Sequence, residues 1–571
     1  MTQRVVRVLP DVPVLDREFD YLVPDPLGDQ VRVGARVRVP LHGRRVGGWV
    51  VADRVTPPDG VVLRPLAKVT GWGPPPDVVD LAGWAAWRWA GRRAPFLVTA
   101  SPPVAVRALP QPPAGTPRPD PPFRVPDGVS VLRLPPAADP AAAAVAAAAR
   151  GDALVVCPSS ALAADVAAGL RRAGVAVALL PRDWARAAAG GCAVVGARAA
   201  AWAPVPRLGA VVVVDEHDEA HQEERAPTWH ARDVALERAR RAGVPCLLVS
   251  PCPTLEALRS GRLLAPGRVE ERAGWPVVDV VDRRKEDPRA GLYSPRLVDA
   301  LRSGRRVVCV LNRTGRARLL ACAACGTVAG CERCGAAVVV PEAGVLRCLR
   351  CATERPEVCL DCGSGRFRAL RVGVSRAREE LAALAGEPVA EVTAAGVVGD
   401  GDRGVGRVVV GTEAVLHHVR SADVVAFLDL DQELLAPRYR AAEQAMALVV
   451  RAARLLGGRS GGGRLVLQTR TPRHEVVEAA LHAEPARLAR GEDGRRAVLG
   501  FPPYAALAAV SGPSAPAFVE ALGDPPGVDV LGPDDGRWLL RASDHTALCD
   551  ALAATPRPGG RLRIEVDPLR V

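Results

Sequence analysis

The sequence predicts an α/β multidomain protein. Three observations predict it: two separate sets of β-branched runs alternating with helical stretches, a cluster of CxxC pairs, and short alternating strands at the N-terminus. With 571 residues the chain has room for three or four cores.

Residues 4–70 alternate apolar and polar, as in Val31-Arg32-Val33 and Arg36-Val37-Arg38-Val39, between Gly34, Gly43, Gly47 and Gly48, and predict a small β-barrel or sheet. From Pro76 to Ala90 the period becomes helical. Asp77 is the expected cap, and Trp84, Trp87 and Trp89 are expected to face a core in preference to stacking on bases. The proline-rich stretch 101–126 reads as a semi-rigid linker. Beyond it, Asp139-Pro140 opens an Ala-rich helix. Strands are expected at 153–157, 175–179, 192–195, 210–214 and 246–250, with helices at 160–173 and 231–242. A second set of strands covers 307–311, 407–411, 424–430 and 465–469, followed by a small α+β unit at 500–571, and 454–464 reads as a Gly-rich loop. The expected units are 1–100, a linker at 101–126, a first lobe at 127–274, a second lobe at 275–490 containing an insertion at 320–365, and an end domain at 500–571.

The insertion carries Cys322-x2-Cys325, Cys331-x2-Cys334, Cys348-x2-Cys351 and Cys359-x2-Cys362. Eight thiolates fill two tetrahedral zinc sites, and Gly326, Gly335 and Gly363 stand where a tight knuckle needs positive φ. The spacers are polar and Arg-rich, so the metal must fold them; such sites are worth roughly 10–16 kcal/mol in small zinc peptides. Disulfides are the competing reading. The segment from Met1 to Arg7 has no apolar signal region, which favours reduced thiols. Spacing alone leaves the pairing open. Cys157, Cys192, Cys246, Cys252, Cys309 and Cys549 stand singly in apolar surroundings and read as small buried hydrophobes.

Every long apolar run is broken by Arg, Asp, Gly or Pro, so a cytoplasmic protein without a membrane partner is expected. The formal charge of +12 suits an anionic partner such as nucleic acid. Lysine occurs only at Lys68 and Lys285. The arginine excess is therefore partly a GC-rich codon effect.

The cysteine stretch, preceded by Leu311-Asn312-Arg313-Thr314-Gly315-Arg316, resembles the zinc module of the bacterial PriA family of replication-restart helicases. Phe19-Asp20-Tyr21-Leu22-Val23-Pro24 with Gly34-Ala35-Arg36-Val37-Arg38-Val39-Pro40 is similar to that family's domain for nascent 3′ ends. Asp215-Glu216-His217-Asp218 and His230-Ala231-Arg232-Asp233 resemble its Walker B region. Gly411-Thr412-Glu413 and Asp429-Leu430-Asp431 fall where second-lobe motifs fall, and Phe501-Pro502-Pro503-Tyr504 opens a PriA-like C-terminal domain. The resemblance implies two RecA-like lobes and a 3′-end pocket at Asp20 and Tyr21. It also implies nested zinc sets, Cys322, Cys325, Cys359 and Cys362 outside, with Cys331, Cys334, Cys348 and Cys351 inside. Both zincs would be structural, since four thiolates leave no open position.

The sequence departs from the family where ATP binds. Between Val129 and Val156 there is no G-K-[ST] and no lysine, and Leu134-Pro135-Pro136-Ala137-Ala138-Asp139-Pro140 offers no Gly-rich cradle. The acidic run has one Glu fewer than the family's. Ala447 to Arg454 keeps arginines while losing the family's glutamine and glycines, and no winged-helix domain fits between Ser101 and Val129. Asp215 and Glu216 therefore read as relics of a Mg²⁺ ligand and a base, now solvated or paired with nearby arginines, and Arg451 and Arg454 as solvated or DNA-facing. His217, His221 and His230 match no zinc spacing, and His417-His418 is weaker still.

The resemblance and these losses predict a restart protein that binds forked or 3′-ended DNA without a motor. Expected partners are primosome components, the replicative helicase or its loader, and single-stranded-DNA-binding protein; the expected location is the nucleoid. The alternatives are a DNA-stimulated ATPase with a rearranged nucleotide site, and a zinc-stapled scaffold that does not bind DNA.

Overall fold

A computed structural model of the chain describes residues 3–12, 15–57, 60–113, 119–286, 292–312, 319–369, 374–393, 396–398 and 406–570. The N-terminal unit is a six-stranded sheet in the order Arg64–Pro65, Phe19–Leu22, Val5–Pro10, Arg44–Asp53, Arg36–Leu41, Lys68–Gly71. Its alternating pattern turns Val6, Val8, Tyr21, Val37, Val39 and Val50 into one core. Gly34 takes φ +86 where a Cβ would strike the Pro74 carbonyl at 1.7 Å, so only glycine fits that crossing.

Helix Pro76–Arg88 starts from Pro75 and Pro76 without a side-chain cap. Asp77 lies in its first turn, where its charge suits the dipole, and is not the cap expected of it: proline already supplies the φ, and its missing N–H needs no partner. Trp89 is buried and meets Trp84 edge-on at 5.3 Å. The aromatic contacts continue through Phe96 and Trp202 to Trp229 in the first lobe, with centroids 5.2–6.4 Å apart. The described part of 101–126 is laid on the protein and does not span open solvent: Trp72 N donates to Val106 O at 2.8 Å, and Val125 is buried. Proline-rich backbone has no internal hydrogen bonds, which leaves its carbonyls free to accept from neighbours.

Lobe 1 is a seven-stranded parallel sheet in the order Arg262–Leu264, Val129–Arg133, Cys246–Ser250, Leu208–Val214, Asp152–Val156, Ala193–Gly196, Val177–Leu179. Lobe 2 repeats the plan with Val277–Asp282, Arg464–Thr469, Val424–Phe427, Val307–Val310, Val408–Gly411, Ala390–Thr393 and an antiparallel edge at Gly396–Val398. The cysteine insertion follows the Val307–Val310 strand of this second sheet. Helix Ala441–Leu456 extends into the stretch expected to be a loop, and helix Ala486–Leu499 crosses the boundary expected at 490. Four antiparallel strands and two helices make the C-terminal unit, in the order Val528–Asp534, Arg537–Ala542, Ala506–Ser511, Arg563–Val566. Its Phe518 and Leu548 belong to the same apolar cluster as Trp89 and Trp202. Among the described residues, no helix is long and apolar enough to cross a membrane.

Candidate metal centres and the cleft between the lobes

Each CxxC pair closes a knuckle with the same backbone bond: Gly326, Gly335, Ala352 and Gly363 N–H groups donate to the carbonyls of Cys322, Cys331, Cys348 and Cys359 at 2.9–3.1 Å. All four donors have positive φ, Ala352 included at 55°. Pairing of Leu320–Cys322 with Phe367–Ala369 brings the insertion's two ends together, and the three short strands between them hold the tip. Cys322, Cys325, Cys359 and Cys362 thus form one cluster; Cys331, Cys334, Cys348 and Cys351 form the other. Sulfur–sulfur contacts are 3.5–3.6 Å in the outer set and 3.5 Å in the inner. A thiolate tetrahedron with metal bonds near 2.3 Å has edges of about 3.8 Å, so both sets fit a zinc-sized ion with a few tenths of an ångström of adjustment. The inner set is docked on lobe 2, where Ala337 N and Arg350 Nη2 each donate at 2.8 Å to the carbonyls of Leu435 and Ala436. The six single cysteines are all buried.

The second candidate site lies at the strand ends of lobe 1, facing lobe 2. Residues 134–140 form the turn between strand Val129–Arg133 and helix Ala141–Ala148, where a phosphate cradle would sit. Three of these seven residues are prolines without an N–H. The Leu134, Ala137 and Ala138 amides donate to the carbonyls of Ser250, Gly274 and Pro135 at 2.9–3.2 Å. Asp139 Oδ1 accepts from Ala141 N at 2.9 Å, so a carboxylate already occupies the helix start that would attract an anion. The turn is also held from outside: a Cβ on Gly274 would come within 2.3 Å of Pro135.

Asp215 follows strand Leu208–Val214, as expected, and is buried. Arg454 of lobe 2 holds both its oxygens, at 2.5 and 2.8 Å, and reaches Pro136 O at 3.4 Å. Burial pushes the Asp215 carboxyl up, but Arg454 overrides it and holds the group down at about 2. Glu216 accepts from Thr254 N at 2.7 Å and Thr254 Oγ1 at 3.0 Å, with Arg232 at 3.6 Å; burial still raises its pKa. Arg451 pairs with Asp218 and meets His417. Arg451 and Arg454, a quarter and a third exposed, are not free in solvent as the sequence suggested; they bridge the lobes to Asp218 and Asp215, because buried carboxylates across the boundary need cations. The histidines are spent singly: His217 on Ser250 Oγ, His221 on Val214 O, His230 as the cap of helix Ala231–Ala242. Among the described residues, the two cysteine sets are the only clusters of metal-ligating side chains.

In the N-terminal sheet Tyr21 is buried and its hydroxyl donates to Pro40 O at 3.1 Å; strand alternation turns it inward. Asp20 points the other way and accepts from Arg7 at 2.8 and 3.2 Å. The same alternation leaves Arg36 and Arg38 on the outer side of the strand that buries Val37 and Val39, with Lys68 opposite Arg38 and Arg45 opposite Pro40. This basic stripe was legible in Arg36-Val37-Arg38-Val39 once the valines were assigned inward. In lobe 2, Asn312 ties the Glu413 amide to Glu433, while Arg313, Thr314, Gly315 and Arg316 lie outside the described residues.

Residues 7–102 match a family model described as the 3′DNA-binding domain of PriA. A probable replication restart protein PriA of Mycobacterium tuberculosis is 32% identical, over 98% of this chain and 99% of the relative. The chain belongs to the PriA family. The PriA of Bacillus subtilis is 28% identical over 56% of this chain and 43% of its own length. Among solved structures, a DEAD box protein from Methanococcus jannaschii matches with a TM-score of 0.30 at 11% identity, covering 63% of this chain and 86% of its own. In this family member the two seven-stranded sheets form the two lobes, with the cysteine module inserted in the second.

Proposed function

We propose that this PriA-family chain is a replication-restart protein that binds forked or 3′-ended DNA and promotes loading of the replicative helicase without unwinding DNA itself. The single observation that carries the motor-free reading is the 134–140 turn, whose prolines, inward-bonded amides and Asp139 carboxylate leave nothing to cradle a triphosphate. Family membership and the 3′DNA-binding match at 7–102 support the restart role. Two zinc ions staple the insertion, Cys322, Cys325, Cys359 and Cys362 holding one, Cys331, Cys334, Cys348 and Cys351 the other. The chain works in the cytoplasm at the nucleoid, in contact with primosome components, the replicative helicase or its loader, and single-stranded-DNA-binding protein.

The test is ATP binding and hydrolysis by the purified protein, with and without forked DNA bearing a 3′ nascent end. Tight fork binding without turnover at millimolar ATP is expected. The log of the association constant should fall linearly with the log of salt, since arginine–phosphate contacts release counterions. DNA-stimulated turnover abolished by Asp215→Ala would establish a working motor and overturn the proposal.

Asp20 remains the acceptor for a terminal 3′-OH, with Arg7 fixing its carboxylate. Asp20→Ala is expected to reduce the preference for a 3′-OH end over a 3′-phosphate end by roughly tenfold, about 1–2 kcal/mol. Anisotropy titrations with the two fork ends measure it. An unchanged ratio would remove Asp20 from the pocket.

A further inference from the structure

The boundary between the lobes carries charged contacts at both ends of one helix, with Cys252 of lobe 1 packed into the apolar cluster of lobe 2 between them. Helix Ala441–Leu456 of lobe 2 lies across lobe 1 with Arg440 just before it and Glu443, Gln444, Arg451 and Arg454 at near-helical spacing. Opposite stand Asp215, Asp218 and Glu219 after strand Leu208–Val214, and Leu255 and Glu256 at the start of helix Leu255–Ser260, which follows strand Cys246–Ser250. Arg454 grips Asp215, Arg451 pairs with Asp218, and Gln444 donates to Glu219. At the other end Arg440 straddles Glu256 at 2.5 and 3.1 Å, and Glu443 accepts from Leu255 N at 3.2 Å. Backbone seals the gap between: a Cβ on Gly458 would come within 2.7 Å of Ala273 O.

We propose that these contacts form a permanent latch, in which the Arg454 guanidinium is an internal ligand for Asp215 and holds the lobes shut whether or not ATP is present. The inference deepens the motor-free reading of the same cleft and rests on it. In a working motor the two lobes meet across the nucleotide, so closure requires the nucleotide's phosphates and metal to bridge lobe 1 acids to lobe 2 arginines. Here the acid and the arginine touch directly. A bidentate contact of 2.5–2.8 Å leaves no width for a phosphate between them.

Two properties follow from burial. Asp215 is held at about 2, so this pair stays charged throughout the neutral range. The Arg440 and Glu256 side chains are each only 13% exposed, so salt screens them far less than it screens arginines on DNA phosphates. Raising the salt should release DNA from a molecule whose lobes remain shut.

The test uses the full-length, metal-loaded protein with two dyes, introduced through unnatural amino acids at exposed Arg171 of lobe 1 and Arg302 of lobe 2. Wild type is expected to give one energy-transfer population, unmoved by saturating ATP and by salt high enough to release forked DNA. Arg454→Gln and Asp215→Asn are each expected to add a low-transfer population and to speed amide exchange in 134–140 and 441–456 by about tenfold or more. Arg454→Lys keeps the charge and should stay closed. Asp215→Asn matches its parent in shape and tolerates the φ of 50° found there, so it carries the test where Arg454→Gln fails to fold. Lobes that stay shut in Asp215→Asn, or a wild type that opens and closes with ATP, would overturn the latch. ATP turnover by wild type overturns the motor-free reading itself; absent turnover with lobes that open freely overturns the latch alone.

Discussion

Removing metal from the inner cysteine set is expected to unfold residues 320–365 while the helical signal of the two lobes persists. The spacers bury a small apolar cluster around the inner cysteines, contrary to the polar character expected of them, and roughly 10–16 kcal/mol of metal binding is of the size that folds such peptides. Substitutions should grade by position. Cys334→Ser or Cys348→Ser should be the more damaging, because both thiols are buried and their set is docked on lobe 2 through Ala337 and Arg350. Cys362 is exposed, and its substitution should loosen only the outer set. Metal release to a colorimetric chelator, followed by limited proteolysis and circular dichroism, reads both effects. A module that resists protease after releasing both metals would show that the apolar cluster of Ala336, Val338 and Leu346 suffices on its own.

Replacing Arg496 should destabilise the body of the protein by about 3–5 kcal/mol, the usual result of stranding buried charges. Its side chain is 1% exposed and meets Glu443 at 2.6 Å, Glu492 at 3.1 Å and Glu256 at 3.4 Å, with Nη1 donating to Pro502 O at 3.2 Å. Arg496→Ala leaves Glu256 and Glu443 to Arg440, and Glu492 to Arg495. Burial pushes Glu256 up, but Arg440 and Arg496 override it and set its pKa below the ordinary 4.5. A depressed carboxylate contributes stability that is present above 4.5 and is lost as pH falls through its folded value. Arg496→Ala should therefore lose most near neutrality and converge on wild type in acid. Thermal unfolding of both proteins across pH 3–7 tests this, and parallel curves would show that Arg496 acts through packing only.

The sequence was most legible where a local pattern has one physical meaning. Period-2 and helical runs placed the strands of both lobes' centres, since a buried parallel strand such as Val211 to Val214 can hardly be anything else. Edge strands such as Arg262–Leu264 and Val277–Asp282 escaped because exposed or half-buried edges carry mixed residues. The cysteine spacing announced eight ligands, while their nesting needed the pairing of strands at 320–322 and 367–369. Loss of the P-loop was visible as missing residues. What fills its place was not, because the Asp215–Arg454 contact joins residues 239 apart. The inward turn of Tyr21 was not legible, because a motif match does not say which side of a strand faces out.

The aromatic series from Trp84 through Trp89, Phe96 and Trp202 to Trp229 has a geometric consequence. It lies in one apolar cluster shared by the N-terminal unit, lobe 1 and the C-terminal unit. Prising these apart would expose several large rings, at about 25 cal/mol per Å² and 150–250 Å² per ring. The three units therefore turn as one piece. A DNA strand terminus seated at Asp20 would lie at a set span and bearing from the lobe cleft, and the protein would gauge a branch point as a carpenter's square gauges a corner, by rejecting whatever does not meet both arms.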